Sequence, residues 1–417
     1  MDRFVIEGGT PLSGCVRVDG AKNAALPACV AALLTDEPVT LHRVPQLRDV
    51  STILYTLGSL GKRVVRHGEN VGIASGGALS CEANAYSVRQ MRASFLVLAP
   101  LVARLGRAIV PLPGGCVIGE RPVDLHLLGL RALGARVETH GGAVTVTGDR
   151  LIGARVSLPF PSVGATEQIL MAAVLAKGET VIENGAIEPE VEDLVRLLQK
   201  MGAEIAIHGR TYRIAGRNAL HGAVHTLISD RLVAGTFLLA GAITRGQISV
   251  KRVDPSYLSS FLDSLSATGA EIGIEQDTVN VKASRRPRPL HLVTAPYPGF
   301  PTDLHPMFVA YLSLGLGESS VRETIFEQRF AYVDPLRRMG AQIRQTGTTL
   351  IIEGADGFRG QQVEATDIRA GAALVLAGLA ARGRTTVTHL THIDRGYSQL
   401  EEKLQGLGAN MVRHEEA

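Results

Sequence analysis

The sequence predicts an α/β protein of two lobes, each built from three repeated helix-and-strand units, with helices inside and sheets outside. Three observations carry this. A small-residue tag recurs six times: Leu60-Gly61-Lys62, Leu133-Gly134-Ala135, Met201-Gly202-Ala203, Thr268-Gly269-Ala270, Met339-Gly340-Ala341 and Leu407-Gly408-Ala409. The steps between tags are 73, 68, 67, 71 and 68 residues, the signature of a repeat architecture. Each of the first five tags is followed by an alternating strand, a tight turn and a second strand, as over residues 135–147. The helical runs are rich in Ala and Leu all round, which marks helices buried on every side.

The units justify themselves in order. In the middle of each stands an Ala/Leu-rich run, then a glycine, then a β-branched strand, as over 169–182 and 373–387. Gly178 and Gly383 are expected at left-handed helix C-caps. A second helix follows, as over 190–200, where Val191, Leu194, Val195 and Leu198 form one apolar face. Residues 1–20 read as a strand–turn–strand of the kind the sixth tag lacks after it. This N-terminal hairpin is expected to complete the last unit. On that count residues 22–229 form one lobe, and residues 1–21 with 230–417 form the other.

Composition excludes several functions. Hydrophobic residues make up 45% of 417 and mean hydropathy is +0.15, enough for more than one large core. The 43 basic and 40 acidic residues are interspersed, so a nucleic-acid footprint is not expected. Trp is absent and aromatics are 4%, which argues against stacking platforms for single strands. Cys15, Cys29, Cys81 and Cys116 form no CxxC pair, so neither a disulfide framework nor a structural zinc site is expected. No apolar run reaches spanning length, and Met1-Asp-Arg-Phe-Val-Ile has no signal-peptide character. A soluble cytoplasmic protein without a membrane partner is expected.

Six helix starts carry polar residues: Lys22-Asn23, Arg89 with Arg92, Ser162 to Glu167, Asp230-Arg231, Thr302-Asp303, and Asp367 with Arg369. Repeat symmetry puts them at equivalent helix ends, where free N–H groups and the dipole attract anions. Asp230, Thr302 and Asp367 are expected to act as N-caps. Lys22, Arg92 and Arg231 oppose the dipole, so each calls for an anionic partner. His305, close to Asp303, is expected at the surface. The chemistry is expected in the segment 111–124, where Cys116 follows Gly114-Gly115 with Arg121 and Asp124 nearby. The segment by itself leaves two readings open: a buried small hydrophobe, or a thiol whose pKa is lowered by fixed positive charge. The repeat count favours function, because the longest step, 73 residues, contains this segment.

At this point several motifs converge. They are Gly20-Ala-Lys-Asn-Ala-Ala25, Pro113 to Gly119 with Arg121-Pro-Val-Asp-Leu125, Ser162 to Thr166, Pro301-Thr-Asp303, Glu323 to Glu327 with Arg329-Phe330, Ala365 to Arg369, and Ile393 to Tyr397. On these the chain resembles, end to end, the UDP-N-acetylglucosamine enolpyruvyl transferases, a family that starts peptidoglycan precursor synthesis. The resemblance implies a two-lobed inside-out α/β barrel of six βαβαββ units, with the active site in the inter-lobe cleft. It implies two small-molecule substrates, phosphoenolpyruvate and UDP-N-acetylglucosamine. No cofactor, metal or obligate protein partner is expected.

The same resemblance assigns roles. Cys116 matches the proton donor to the enolpyruvyl methylene, and Asp303 the base for the sugar hydroxyl. Lys22, Arg121 and Arg395 match the cations that hold phosphate and carboxylate, with Arg92, Arg329 and Asn23 near them. Arg121, Pro122, Val123, Asp124 and Leu125 match the grip on uridine nucleotide and sugar. So do Phe160, Pro161, Ser162, Val163, Gly164 and Ile325. Asp367 and Arg369 match positions tied to the catalytic loop and the closed form. Arg48 stands where many members have lysine, and Gly371 where some have serine. Two other readings stay open: the same transfer to shikimate 3-phosphate or a nucleoside monophosphate, or a non-catalytic UDP-sugar-binding regulator.

Overall fold

The computed structural model of the protein describes residues 2–113 and 123–415. These fall into two compact units. The first holds residues 20–113 and 123–228, the second residues 2–19 and 229–415.

Both units follow one plan. Six central helices are α1 (Lys22–Ala31), α2 (Leu98–Leu105), α3 (Val163–Ala173), α4 (Arg231–Ile243), α5 (His305–Leu312) and α6 (Ile368–Ala380). Every residue of α4 and of α5 is buried, and in the second unit α4, α5 and α6 touch one another. A helix with no polar face can be stable only in such an interior. Around each core stand three sheets whose strands alternate buried and exposed residues, as in Thr278–Lys282 and Thr349–Glu353. The inside-out α/β architecture follows from this placement. Outer helices are amphipathic: in Pro189–Lys200 the residues Val191, Leu194, Val195 and Leu198 are buried, with proline and acidic residues in the first turn and Lys200 in the last. Among the described residues no helix is long and apolar enough to cross a membrane.

The six tags have a backbone cause. Gly61, Gly134, Gly202, Gly269, Gly340 and Gly408 all lie at positive φ, between 87° and 108°. In four of them the alanine after the glycine donates its N–H back five residues, as Ala135 does to Leu130 O at 3.0 Å and Ala203 to Leu198 O at 2.9 Å. That is the six-to-one bond of a helix stop in which glycine takes the left-handed position. Gly178 and Gly383 are also left-handed (φ 93° and 83°), but they lie beyond the helix ends, in the turns into the next strands.

The N-terminal hairpin does not form. Strand Arg3–Glu7 enters the last sheet between Arg384–Thr388 and Asn410–His414, antiparallel to both. Strand Ser13–Arg17 instead runs parallel to Gln247–Lys251 in another sheet of the same unit. The link between them cannot fold back as a tight turn because it is fastened along its length. Gly9 N bonds Leu379 O at 2.9 Å, Leu12 is buried, and Leu12 N reaches Thr244 Oγ1 at 3.2 Å.

Ala223–Thr226 plays the matching part in the first unit, parallel to Val39–His42. The chain passes between units at residues 19–20 and 228–229. At these passages Ala21 N bonds Ile228 O at 2.8 Å within the first unit, and Asp230 N bonds Asp19 O at 3.0 Å within the second.

Gly20 sits at the first passage, and a Cβ there would lie 1.8 Å from Arg43 O, a backbone atom that cannot rotate away. Gly20→Ala is expected to cost about 1–3 kcal/mol by overpacking. Gly58→Ala, in the helix Arg48–Ser59 with nothing within 4 Å of its Cβ, is expected to be neutral or to gain up to ~1 kcal/mol. Urea unfolding midpoints of the two variants check this; equal midpoints would contradict it.

Candidate active site

The first unit supplies one group of expected site residues. Lys22 opens α1 and is buried, with Nζ 3.1 Å from Asp49 Oδ2. Asp49 lies in the first turn of Arg48–Ser59, where the helix dipole favours a carboxylate. The pair therefore settles a lysine that its own helix end repels. Asn23 and Arg92 are half-buried at helix starts, and Arg48 is exposed.

Ser162 caps α3, its Oγ accepting from Ala165 N at 3.4 Å. Gly164 lies in the first turn of α3, against the buried His126 of the helix Asp124–Ala132. A Cβ on Gly164 would stand 2.9 Å from His126 Cε1. This contact sets the start of α3 against the helix Asp124–Ala132. Phe160 and Asp124 are exposed; Val123, Leu125, Pro161 and Val163 are half-buried. Cys116, Arg121 and Pro122 lie outside the described residues.

The second unit supplies the other group, organised around Asp303. Arg329 Nη2 approaches Asp303 Oδ1 at 2.6 Å, and Arg369 Nη2 approaches Oδ2 at 3.0 Å. Both arginine side chains are 6% exposed, while the Asp303 side chain is 24% exposed. Arg369 is held further by Tyr397, whose Oη accepts from Nη1 at 3.1 Å and pairs with Thr236 Oγ1 at 3.0 Å. Asp367 caps α6, accepting from Arg369 N at 2.8 Å and Ala370 N at 3.0 Å. Arg395 lies in the short turn Ile393–Arg395. The next residue, Gly396, packs so closely on α6 that a Cβ would meet Ile368 Cγ2 at 2.4 Å. Ile325 is half-buried.

Two expectations about this region, for Thr302 and His305, are corrected. Thr302 is not a cap: Pro301 holds that position, and the Thr302 hydroxyl accepts from Arg329 Nη1 at 2.8 Å and donates to Glu323 Oε2 at 2.8 Å. His305 is not at the surface. It is fully buried, with Nε2 2.7 Å from Tyr332 Oη and Nδ1 3.1 Å from Glu323 Oε2. Arg231 is buried with its guanidinium 5.4 Å from the centre of the Tyr297 ring, so a ring face is among its partners. Asp230 and Asp367 cap as expected, Asp230 accepting from Leu232 N and Val233 N at 3.0 Å each. The sequence alone does not single out Glu323, Tyr332, Tyr397, Asp49 or His126. For Glu323 and Tyr397 a signal existed, since both lie within the motifs that carry the resemblance.

The electrostatics follow from burial and pairing. Burial would raise the Asp303 pKa, but Arg329 and Arg369 outweigh it and hold the carboxyl well below the usual carboxylate range. Arg369 is pushed the other way: burial would lower it, but Tyr397, Asp303 and Asp230 raise it above its ordinary value. Burial pushes His305 down, so Glu323 is the charged partner of that pair. Glu323, which burial would raise, is held at about 2 by His305 and by the amides of Phe326 and Ile325. The cluster thus presents two fixed cations and an ionised carboxylate with little basicity while both arginines hold it.

The family model described as EPSP synthase (3-phosphoshikimate 1-carboxyvinyltransferase) matches residues 6–404. A UDP-N-acetylglucosamine 1-carboxyvinyltransferase 2 of Carboxydothermus hydrogenoformans is 50% identical over 416 residues, 99% of each chain. A UDP-N-acetylglucosamine 1-carboxyvinyltransferase of Finegoldia magna is 47% identical over 420 residues, 100% of this chain and 99% of the relative. Among solved structures, the enolpyruvyl transferase NikO from Streptomyces tendae superposes with TM-score 0.90 at 26% identity, over 99% of this chain and 98% of that one. EPSP synthase from Acinetobacter baumannii shares the fold at TM-score 0.78 and 19% identity over the whole of both chains.

Removing one arginine should release Asp303. The sign follows from the direction of its shift: a carboxyl depressed by pairing stays ionised until the pH falls below its usual value of about 3.9. Arg329→Gln is therefore expected to move the Asp303 titration up by about one to three pH units. Carbon-13 NMR titration of the aspartate carboxyls checks this, and identical Asp303 curves in both proteins would contradict it.

Matched to the EPSP synthase model over nearly its whole length, and to full-length relatives at about half its residues, the chain belongs to the EPSP synthase family of 1-carboxyvinyl (enolpyruvyl) transferases.

Proposed function

We propose that this chain transfers the enolpyruvyl group of phosphoenolpyruvate to the 3′-hydroxyl of UDP-N-acetylglucosamine and releases phosphate. In the cell this is the first committed step of peptidoglycan precursor synthesis, carried out in the cytoplasm. The observation that carries the choice of acceptor is the full-length identity of 45–50% to relatives bearing that activity in their names. The solved EPSP synthase, at 19%, supports the fold alone.

In this reading Asp303 takes the proton of the sugar hydroxyl as its oxygen bonds to the central carbon of phosphoenolpyruvate. Cys116 delivers a proton to the methylene carbon, giving a tetrahedral phospho-ketal. Loss of a proton from the resulting methyl group and departure of phosphate restore the enol ether. Charge control is the main demand of both halves. Lys22, Arg121 and Arg395 serve as the fixed cations for phosphate and carboxylate, with Asn23 and Arg92 beside them. The segments Val123 to Leu125 and Phe160 to Gly164, with Ile325, receive the nucleotide and sugar.

The two arginines on Asp303 bear on timing. An arginine drawn onto an anionic substrate would free the carboxylate to act as base, so basicity would rise only with substrate present.

Phosphate release with both substrates tests the proposal. The wild type is expected to turn over. Cys116→Ala is expected to lose about 100-fold or more, and Cys116→Asp, which keeps a proton donor, to retain activity. A full rate in Cys116→Ala would remove the acid role. Turnover with shikimate 3-phosphate or a nucleoside monophosphate in place of the UDP-sugar would overturn the choice of acceptor.

A further inference from the structure

We propose that Glu323 is a positioning residue for this reaction: its single buried carboxylate sets the turn that carries Ile325 and, through the Thr302 hydroxyl, the Arg329–Asp303 pair. The inference rests on the enolpyruvyl-transfer reading above.

Glu323 follows the strand Glu318–Arg322 and is 1% exposed. Its two oxygens serve different parts of the site. Oε1 accepts from Ile325 N at 2.7 Å and from Phe326 N at 3.0 Å, which folds residues 323–326 into a fixed turn. Oε2 accepts from Thr302 Oγ1 at 2.8 Å. The same Thr302 oxygen accepts from Arg329 Nη1 at 2.8 Å, and Arg329 Nη2 holds Asp303 Oδ1 at 2.6 Å. The Arg329 guanidinium also lies 5.0 Å from the centre of the Phe326 ring, so the turn that Glu323 folds forms one wall of the Arg329 site.

The chain of contacts has a direction. A hydroxyl between a buried anion and a buried cation orients its proton toward the anion and its lone pair toward the cation, so each bond strengthens the other. A carboxylate suits this place because it is acceptor-only at both oxygens. It can take two backbone N–H groups on one side and a hydroxyl on the other. A glutamine keeps the shape and loses one acceptor face. Either the turn or Thr302 must then give way, and Arg329 loses its alignment. Acceptor binding at Ile325 and proton removal at Asp303 are thereby tied to one side chain.

The test measures kcat, and KM for each substrate, in Glu323→Gln, Thr302→Val and Thr302→Ser. Glu323→Gln is expected to raise KM for UDP-N-acetylglucosamine about tenfold and to lower kcat by up to about 100-fold, with KM for phosphoenolpyruvate unchanged. Thr302→Val, near-isosteric and leaving the turn intact, is expected to lower kcat about tenfold with both KM values unchanged, and Thr302→Ser, which keeps the hydroxyl, to restore kcat. The Val and Ser variants keep the proposal testable if Glu323→Gln does not fold.

A Glu323→Gln protein with a lower melting temperature but wild-type constants would overturn the proposal. So would a Thr302→Val protein as active as Thr302→Ser. Absence of turnover by the wild type would instead overturn the functional reading. Calorimetric binding of UDP-N-acetylglucosamine to wild type and Glu323→Gln would still decide the Ile325 arm, with equal affinity counting against it.

Discussion

Two guanidinium groups close on the carboxylate of Asp303 from elements far apart in the chain, and much of the second unit is arranged to allow it. Arg329 and Arg369 are each almost fully removed from water. A buried guanidinium without a counter-charge is expensive, so each needs an anion of fixed geometry. Asp303 serves both, and Glu323, reached through Thr302, balances the second positive charge. α5 begins just after Asp303, and α6 begins just before Arg369. The charged cluster therefore stands at the starts of two core helices whose remaining lengths are apolar. Charge at the ends and hydrophobicity along the shafts are two halves of one arrangement: the shafts make the core, and their polar starts are left for chemistry.

The repeat explains how such starts come to be equivalent. Each of the first five tags ends a helix at a glycine in the left-handed conformation and turns into a hairpin. The central helices thus enter each core from corresponding positions. The two passages of the chain between units are paired in the same spirit. Ser13–Arg17 and Ala223–Thr226 each take the parallel edge of a sheet whose central strand comes after the other passage. The first unit completes its sheets within one continuous segment, whereas the second needs residues 2–19 to pair with strands that follow residue 229.

Much of this was legible in the sequence because it depends on local rules. Glycine at the six tags is required by φ, so it recurs visibly. The apolar faces at Val191 to Leu198 and the all-apolar helices follow from period and composition. Asp230 and Asp367 cap because residues of that type at a helix start do so. What was not legible depends on distant partners. Thr302 read as a cap, because nothing near it in sequence reveals that Arg329 and Glu323 lie against its hydroxyl. His305 read as a surface residue, because burial beside Tyr332 and Glu323 is set by tertiary packing. The N-terminal strands read as a hairpin because alternation gives strands but not their sheets, and the contacts of Gly9 and Leu12 with residues far along the chain decide that. The motifs around Asp303, Glu323, Arg369 and Tyr397 name segments that the fold brings together, without showing which side chains touch.

In the proposed reaction addition is followed by elimination, with a proton delivered to the methylene carbon and later removed. The most direct measurement is the mass of the product formed from UDP-N-acetylglucosamine and phosphoenolpyruvate in deuterium oxide. The expected product is an enolpyruvyl-UDP-sugar carrying deuterium in its methylene group, since the added proton exchanges with solvent and the intermediate methyl group can lose either isotope. A product free of deuterium, or no product at all, would contradict it.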